Sequence, residues 1–142
     1  MTRPIPVPDD TSAPFWAAAA EHTLVVAECF QCGWRTLPPD VVCTHCGSSE
    51  PATAFVRIAG DAVVRSWTVV RQALRPGFAE DLPFVLVDAE LRDAPGVRLI
   101  GRLLDGPDRE LTIGTALVCG FEDIAPGVSV PAFGLAAHGV DT

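Results

Sequence analysis

The sequence predicts a mainly β protein: a short N-terminal helix, a cysteine-bearing ribbon, and then a small Greek-key barrel of five to six strands. Three observations lead to this. Two C-x-x-C-G units, Cys29-Phe-Gln-Cys32-Gly33 and Cys43-Thr-His-Cys46-Gly47, stand ten residues apart. Beyond residue 53, short apolar runs are separated by glycine, proline and aspartate turn signals. Between those runs almost nothing repeats at the helical period.

Residues 1–12 are rich in proline and acids and read as a loose arm. Thr11 or Ser12 is a suitable helix cap, and Pro14 is tolerated in a first turn. The helix is expected from Phe15 to about His22, with Phe15, Trp16 and Ala19 on one face. It is too short to stand by propensity, so that face must pack, either on the chain's own core or on a partner subunit. A strand over 24–28 enters the first cysteine pair. Further strands are expected at 54–58, 62–71, 84–91, 97–104, 116–122 and 130–135. In the run 84–91, Val85, Val87, Ala89 and Leu91 alternate onto a core side, leaving Phe84, Leu86, Asp88 and Glu90 on a mixed or exposed side. The loop 72–82, with Pro76, Gly77 and two acids, is long enough to reach a neighbouring subunit. The expected organisation is an arm and helix over 1–23, a ribbon over 24–50, a barrel over 51–138 and a tail over 139–142.

A chain of 142 residues fits one domain or two very small ones. A 30-residue piece could not bury a sufficient core and would need a metal or disulfide. With 49% hydrophobic and 20% charged residues the composition is that of an ordinary globular protein. The net charge is −8, and all ten basic residues are arginine. That balance makes a poor general binder of polyanions unless the arginines cluster. No signal peptide and no membrane-length apolar run is expected. With five cysteines and no such signal, the cytoplasm is the expected compartment and a disulfide framework is disfavoured.

The cysteines carry the chemistry. Each C-x-x-C turn brings two sulfurs together, and the following glycine permits a left-handed backbone. Two such turns on adjacent hairpins gather four thiolates around one tetrahedral ion, so Cys29, Cys32, Cys43 and Cys46 are the expected metal ligands. Zinc is the expected ion, with an iron site of rubredoxin type as an electron-transfer alternative. Four thiolates leave no open position for a substrate water, which makes the metal structural. His45, inside the second knuckle, is an alternative ligand, but the four thiols suffice. Cys119 reads as a buried, inert thiol. No nucleophile elbow, P-loop, dinucleotide fingerprint or H-E-x-x-H occurs, and no catalytic residue is assigned.

The ordered set Pro14-Phe15-Trp16, 24–29, Pro38-Pro39, 43–49, 66–70, Leu82-Pro83-Phe84-Val85, Glu90-Leu91 and Ile113-Gly114 before Val118 resembles the zinc-ribbon/OB-fold family of proteins that accompany thiolases and acyl-CoA enzymes. Asp88, where an apolar residue is usual, and the longer tract around Ala94-Pro95-Gly96 depart from the pattern. The resemblance implies a rubredoxin-like zinc ribbon leading into an OB-fold-like barrel. It also implies a small accessory subunit, not catalytic alone, beside a thiolase-like partner that supplies nucleophile and base. Together they would serve Claisen condensation, acyl transfer or retro-aldol cleavage of acyl-CoA, including steroid side chains. CoA is an anionic nucleotide on an apolar thioester arm. Arginine suits its phosphates and an aromatic its adenine. Trp67, Arg71, Arg75 and Phe78, along one strand and the next loop, are the expected CoA or partner contacts. Neither nucleic acid nor membrane is an expected partner. The alternative is a nucleic-acid-binding ribbon and barrel, since both modules often bind nucleic acids.

Overall fold

The structure, a computed structural model, describes residues 3–49 and 53–136. The expected tail over 139–142, His138 and the 50/51 boundary lie outside the described residues. Helix α1 spans Ala13–Ala20. Ser12 stands at its N-cap, but its hydroxyl does not cap the helix. It accepts from the Asp9 amide at 3.1 Å, while the Ser12 amide donates to Asp9 Oδ1 at 2.7 Å. This reciprocal pair folds the arm into the helix entry. The helix ends two residues before the expected His22, which adopts φ 56°. The amides of His22 and Thr23 donate to the carbonyls of Ala19 and Ala18, the bonds of a left-handed helix stop. Phe15 and Ala19 are buried, and Trp16 packs on the same core.

β1 (Val25–Cys29) is flanked antiparallel by β2 (Arg35–Thr36) and β3 (Thr53–Arg57), giving a three-stranded sheet ordered β2-β1-β3. The expected barrel began at residue 51 and so included β3. Its ladder lies instead with β1, from Val25↔Arg57 to Cys29↔Thr53, where it covers the edge of β1 that β2 leaves open.

The barrel starts at β4 (Asp61–Val70) and continues with β5 (Phe84–Leu91), β6 (Arg98–Leu103), β7 (Ala116–Ala125) and β8 (Val128–Leu135). It closes in the order β4-β5-β6-β8-β7, all antiparallel except β6 with β8. β4 pairs with β5 along 62–70 and, over 61–63, with β7 as well; a bulge between Val64 and Ser66 interrupts the β5 ladder and bends this long first strand. β8 pairs with β6 next to Gly101, where a Cβ would stand 2.9 Å from the Pro131 carbonyl and 3.0 Å from the Phe133 ring.

The inward set of β5 is as the alternation predicts, with Val85, Val87, Ala89 and Leu91 all buried. Phe84 differs from expectation and is buried too. The loop residue Phe78 stacks on it at 5.8 Å, and Arg102 lies over its ring. The core joins Val64, Val87, Leu103, Leu117 and Phe133 of the barrel to Leu24, Val25 and Val26 at the ribbon's root. α1 rests on β8 and β1, bridging the two sheets.

Candidate metal centre and barrel face

Two turns with the same hydrogen-bond pattern build the cysteine site. In the first, the Cys29 amide donates to Trp34 O and the Gly33 amide to Cys29 O. In the second, the Cys43 amide donates to Ser48 O and the Gly47 amide to Cys43 O. Gly33 and Gly47 have φ 79° and 77°, the left-handed step that C-x-x-C-G requires. The Gln31 amide points at Cys29 Sγ, 3.4 Å away.

The four sulfurs all lie within 4.8 Å of one another. Cys29 and Cys46 are separated by 4.0 Å and Cys32 and Cys43 by 3.6 Å. A tetrahedral ion with metal–sulfur bonds of about 2.3 Å needs sulfurs about 3.8 Å apart, so these four are positioned to bind a metal. Crowding splits their titration. Cys43 is drawn down to about 7, chiefly by the Cys46 amide. The Trp34 amide pulls Cys32 the same way, but desolvation and the neighbouring thiols push it up to about 12. His45 is not among the four ligand positions. Its ring stacks on Trp34 with centroids 4.4 Å apart and planes 7° from parallel, tying one knuckle to the other. Cys29 is buried, whereas Cys32 and Cys46 face solvent, as does Phe30 beside them.

The residues expected to contact CoA occupy different places. Trp67 lies on β4 opposite Val87 and is 41% exposed. Arg71 follows β4 and is exposed. Arg75 lines an open depression with Leu74, Gly77, Glu80 and Asp81. Among the described residues neither Arg71 nor Arg75 makes an ion pair, whereas Arg3, Arg35, Arg65, Arg98 and Arg102 all do. Phe78 is half-buried, its ring in contact with the Phe84 ring and the Arg3 guanidinium. Cys119 is half-buried on β7, and burial pushes its thiol up to about 12.

Sequence reasoning missed a second cluster. Arg3 reaches across the barrel to Asp81 in the loop and Glu122 on β7. It sits with Pro4 and Trp16 in a groove walled by β5, β6, β7 and β8. Its partners are 74 to 119 residues away in sequence, and no local pattern marks them.

Fold and site together define a zinc-ribbon protein with an OB barrel: a four-cysteine ribbon whose root is continuous with the core of a closed five-stranded barrel. Residues 16–52 match the domain described as "ChsH2, rubredoxin-like zinc ribbon domain", and residues 55–122 match "ChsH2, C-terminal OB-fold domain". The chain belongs to the ChsH2 zinc-ribbon/OB-fold family. It is 30% identical over 131 residues to a "Probable enoyl-CoA hydratase alpha subunit" of Thermomonospora curvata, covering 92% of this chain and 39% of that relative's length. Among solved structures it resembles the "Ltp2-ChsH2(DUF35) aldolase", with a TM-score of 0.80 and 28% identity over 93% of this chain and 99% of that one. A DUF35-family protein from Sulfolobus solfataricus shares the fold, with a TM-score of 0.58 and 14% identity over 89% and 86% of the two chains. No helix among the described residues is long and apolar enough to cross a membrane.

Proposed function

We propose that this chain is an accessory, non-catalytic subunit of a thiolase-type complex acting on acyl-CoA, and that its four-cysteine site holds a structural zinc ion. The observation that carries this reading is the near full-length likeness to the chain from the Ltp2-ChsH2(DUF35) aldolase, at 28% identity and a TM-score of 0.80. The relative named as a hydratase subunit acts, by its name, on a CoA thioester, which points to the same substrate class. The reactions open to such a complex are acyl transfer, Claisen condensation and retro-aldol cleavage, including that of steroid side chains.

The site chemistry supports the division of labour. Cys29, Cys32, Cys43 and Cys46 would fill the coordination sphere of zinc, which then braces the ribbon and polarises no substrate. Arg71 and Arg75 carry charge that no acid of the described chain neutralises, and exposed Trp67 lies on the strand leading to them. These three are the stronger candidates for CoA or partner contact. Phe78, whose ring meets the Phe84 ring and the Arg3 guanidinium, contributes by shaping the loop. The nucleic-acid reading has less behind it. The groove beside β5 and β6, the second and third strands of the barrel, on the face that OB folds use for oligonucleotides, is lined here by the chain's own Arg3 and Pro4, with the acids Asp81 and Glu122 paired to Arg3.

The test is co-expression with a thiolase-like protein, followed by co-purification and an assay for CoA-ester cleavage or condensation. The complex is expected to be active and the isolated chain inert. Replacing Arg71 and Arg75 together by alanine is expected to weaken CoA-ester binding by the complex about tenfold or more. Activity of the isolated chain, or indifference to both arginines, would sink the reading.

A further inference from the structure

The arm over 3–12 does more than lead into α1. Arg3 Nη1 donates to Glu122 Oε2 at 2.9 Å, Nη2 donates to Asp81 Oδ2, and Nε donates to the Gly77 carbonyl at 3.3 Å. The guanidinium carbon stands 4.8 Å from the centroid of the Phe78 ring. One planar cation thus meets two carboxylates, a carbonyl and an aromatic face, and its side chain is only 16% exposed. The loop is shaped for it. Gly77 adopts φ +90°, and a Cβ there would stand 2.7 Å from the Arg3 backbone nitrogen. Arg102 lies at 3.3 and 3.4 Å from the same two acids, farther than Arg3. Without Arg3, two carboxylates on different elements would share that single, more distant counter-charge, and Phe78 would lose its cation contact.

We propose that this face of the barrel is a guanidinium-binding site, that Arg3 is its resident ligand, and that its occupancy holds the β4–β5 loop against the barrel wall. The three loop groups that Arg3 touches, Gly77, Phe78 and Asp81, lie within seven residues of Arg75. The arm therefore fixes the segment through which Arg75 is presented. The selectivity is for a fork of N–H donors over a flat ring. An ammonium supplies the charge without the plane or the fork. The inference stands apart from the accessory role proposed above, because its test uses neither CoA nor a partner.

The test is hydrogen exchange of residues 72–83 in the full chain, read by mass spectrometry. Arg3→Ala is expected to speed exchange there about tenfold, with the β1–β2 hairpin unchanged. Arg3→Lys is expected to stay close to Arg3→Ala. Millimolar methylguanidinium should slow the Arg3→Ala loop back toward wild type, and equal methylammonium should not. Unchanged exchange in Arg3→Ala, or equal rescue by the two cations, overturns the proposal. If Arg3→Ala proves insoluble, Glu122→Gln carries the same test. It should loosen the same loop by severalfold, and wild-type exchange in it would overturn the proposal equally.

Discussion

His22 holds a left-handed backbone without being glycine, and what surrounds it accounts for this. Its Nε2 lies 2.6 Å from Asp123 Oδ1, and its ring stacks on Phe121 at 5.8 Å. The same Asp123 oxygen accepts the Ser129 hydroxyl at 2.5 Å. A left-handed L-residue costs about 1–2 kcal/mol, which these contacts offset. His22→Ala keeps the strain and loses the contacts, so it should destabilise the chain by about 1 kcal/mol. His22→Gly loses the contacts but relieves the strain and should be nearly neutral. Urea unfolding compares them, and equal losses would refute this account. At this scale the sequence was legible wherever chemistry repeats locally. Two copies of C-x-x-C-G announce both the ligands and the φ of Gly33 and Gly47. It was silent on Arg3, His22 and the Trp34–His45 stack, because each depends on a group brought near only by the finished fold.

The elements show a similar division. The run 84–91 is legible in β5 because one face is buried and period two then marks every second residue. Its other face deceived at Phe84, which a loop and an arginine cover from outside. β3 reads correctly as a strand, but nothing in five residues tells which sheet it joins. The outward side of β4, β5 and β6 carries an ionic ladder, with Arg65 on Glu90 and Arg98 on Asp88. Arg98 holds the Asp88 carboxyl below its ordinary range. The Gly96 amide, then Arg65, does the same for Glu90. Both groups have folded pKa values below their unfolded ones. Their stabilisation is therefore fully present above about pH 4 and is lost as pH falls through the lowered folded values. Thermal midpoints measured from pH 7 to pH 2 should drop in that window. Asp88→Asn should flatten part of the drop, and an unaltered profile would show that the ladder contributes nothing.

Over the whole molecule, ribbon and barrel share one core. Val25 and Val26 of the ribbon strand lie in the same buried cluster as Val64, Leu91 and Phe133. Removing the metal should therefore be felt beyond the knuckles. Chelation is expected to lower the midpoint of a single cooperative transition by about 10 °C or more. A barrel that melts unchanged after chelation would show the two parts to be independent. The packing of α1 on β8 joins the earliest described helix to the last described strand. During synthesis on the ribosome, the cysteine turns can close around a metal ion as soon as residue 47 has emerged. The helix made before them has only β1 to rest on until β8, Val128–Leu135, has been made. A nascent chain therefore carries an apolar face of Phe15, Trp16 and Ala19 without its β8 cover until that strand is made, and that interval is when a chaperone or an assembly partner would find it.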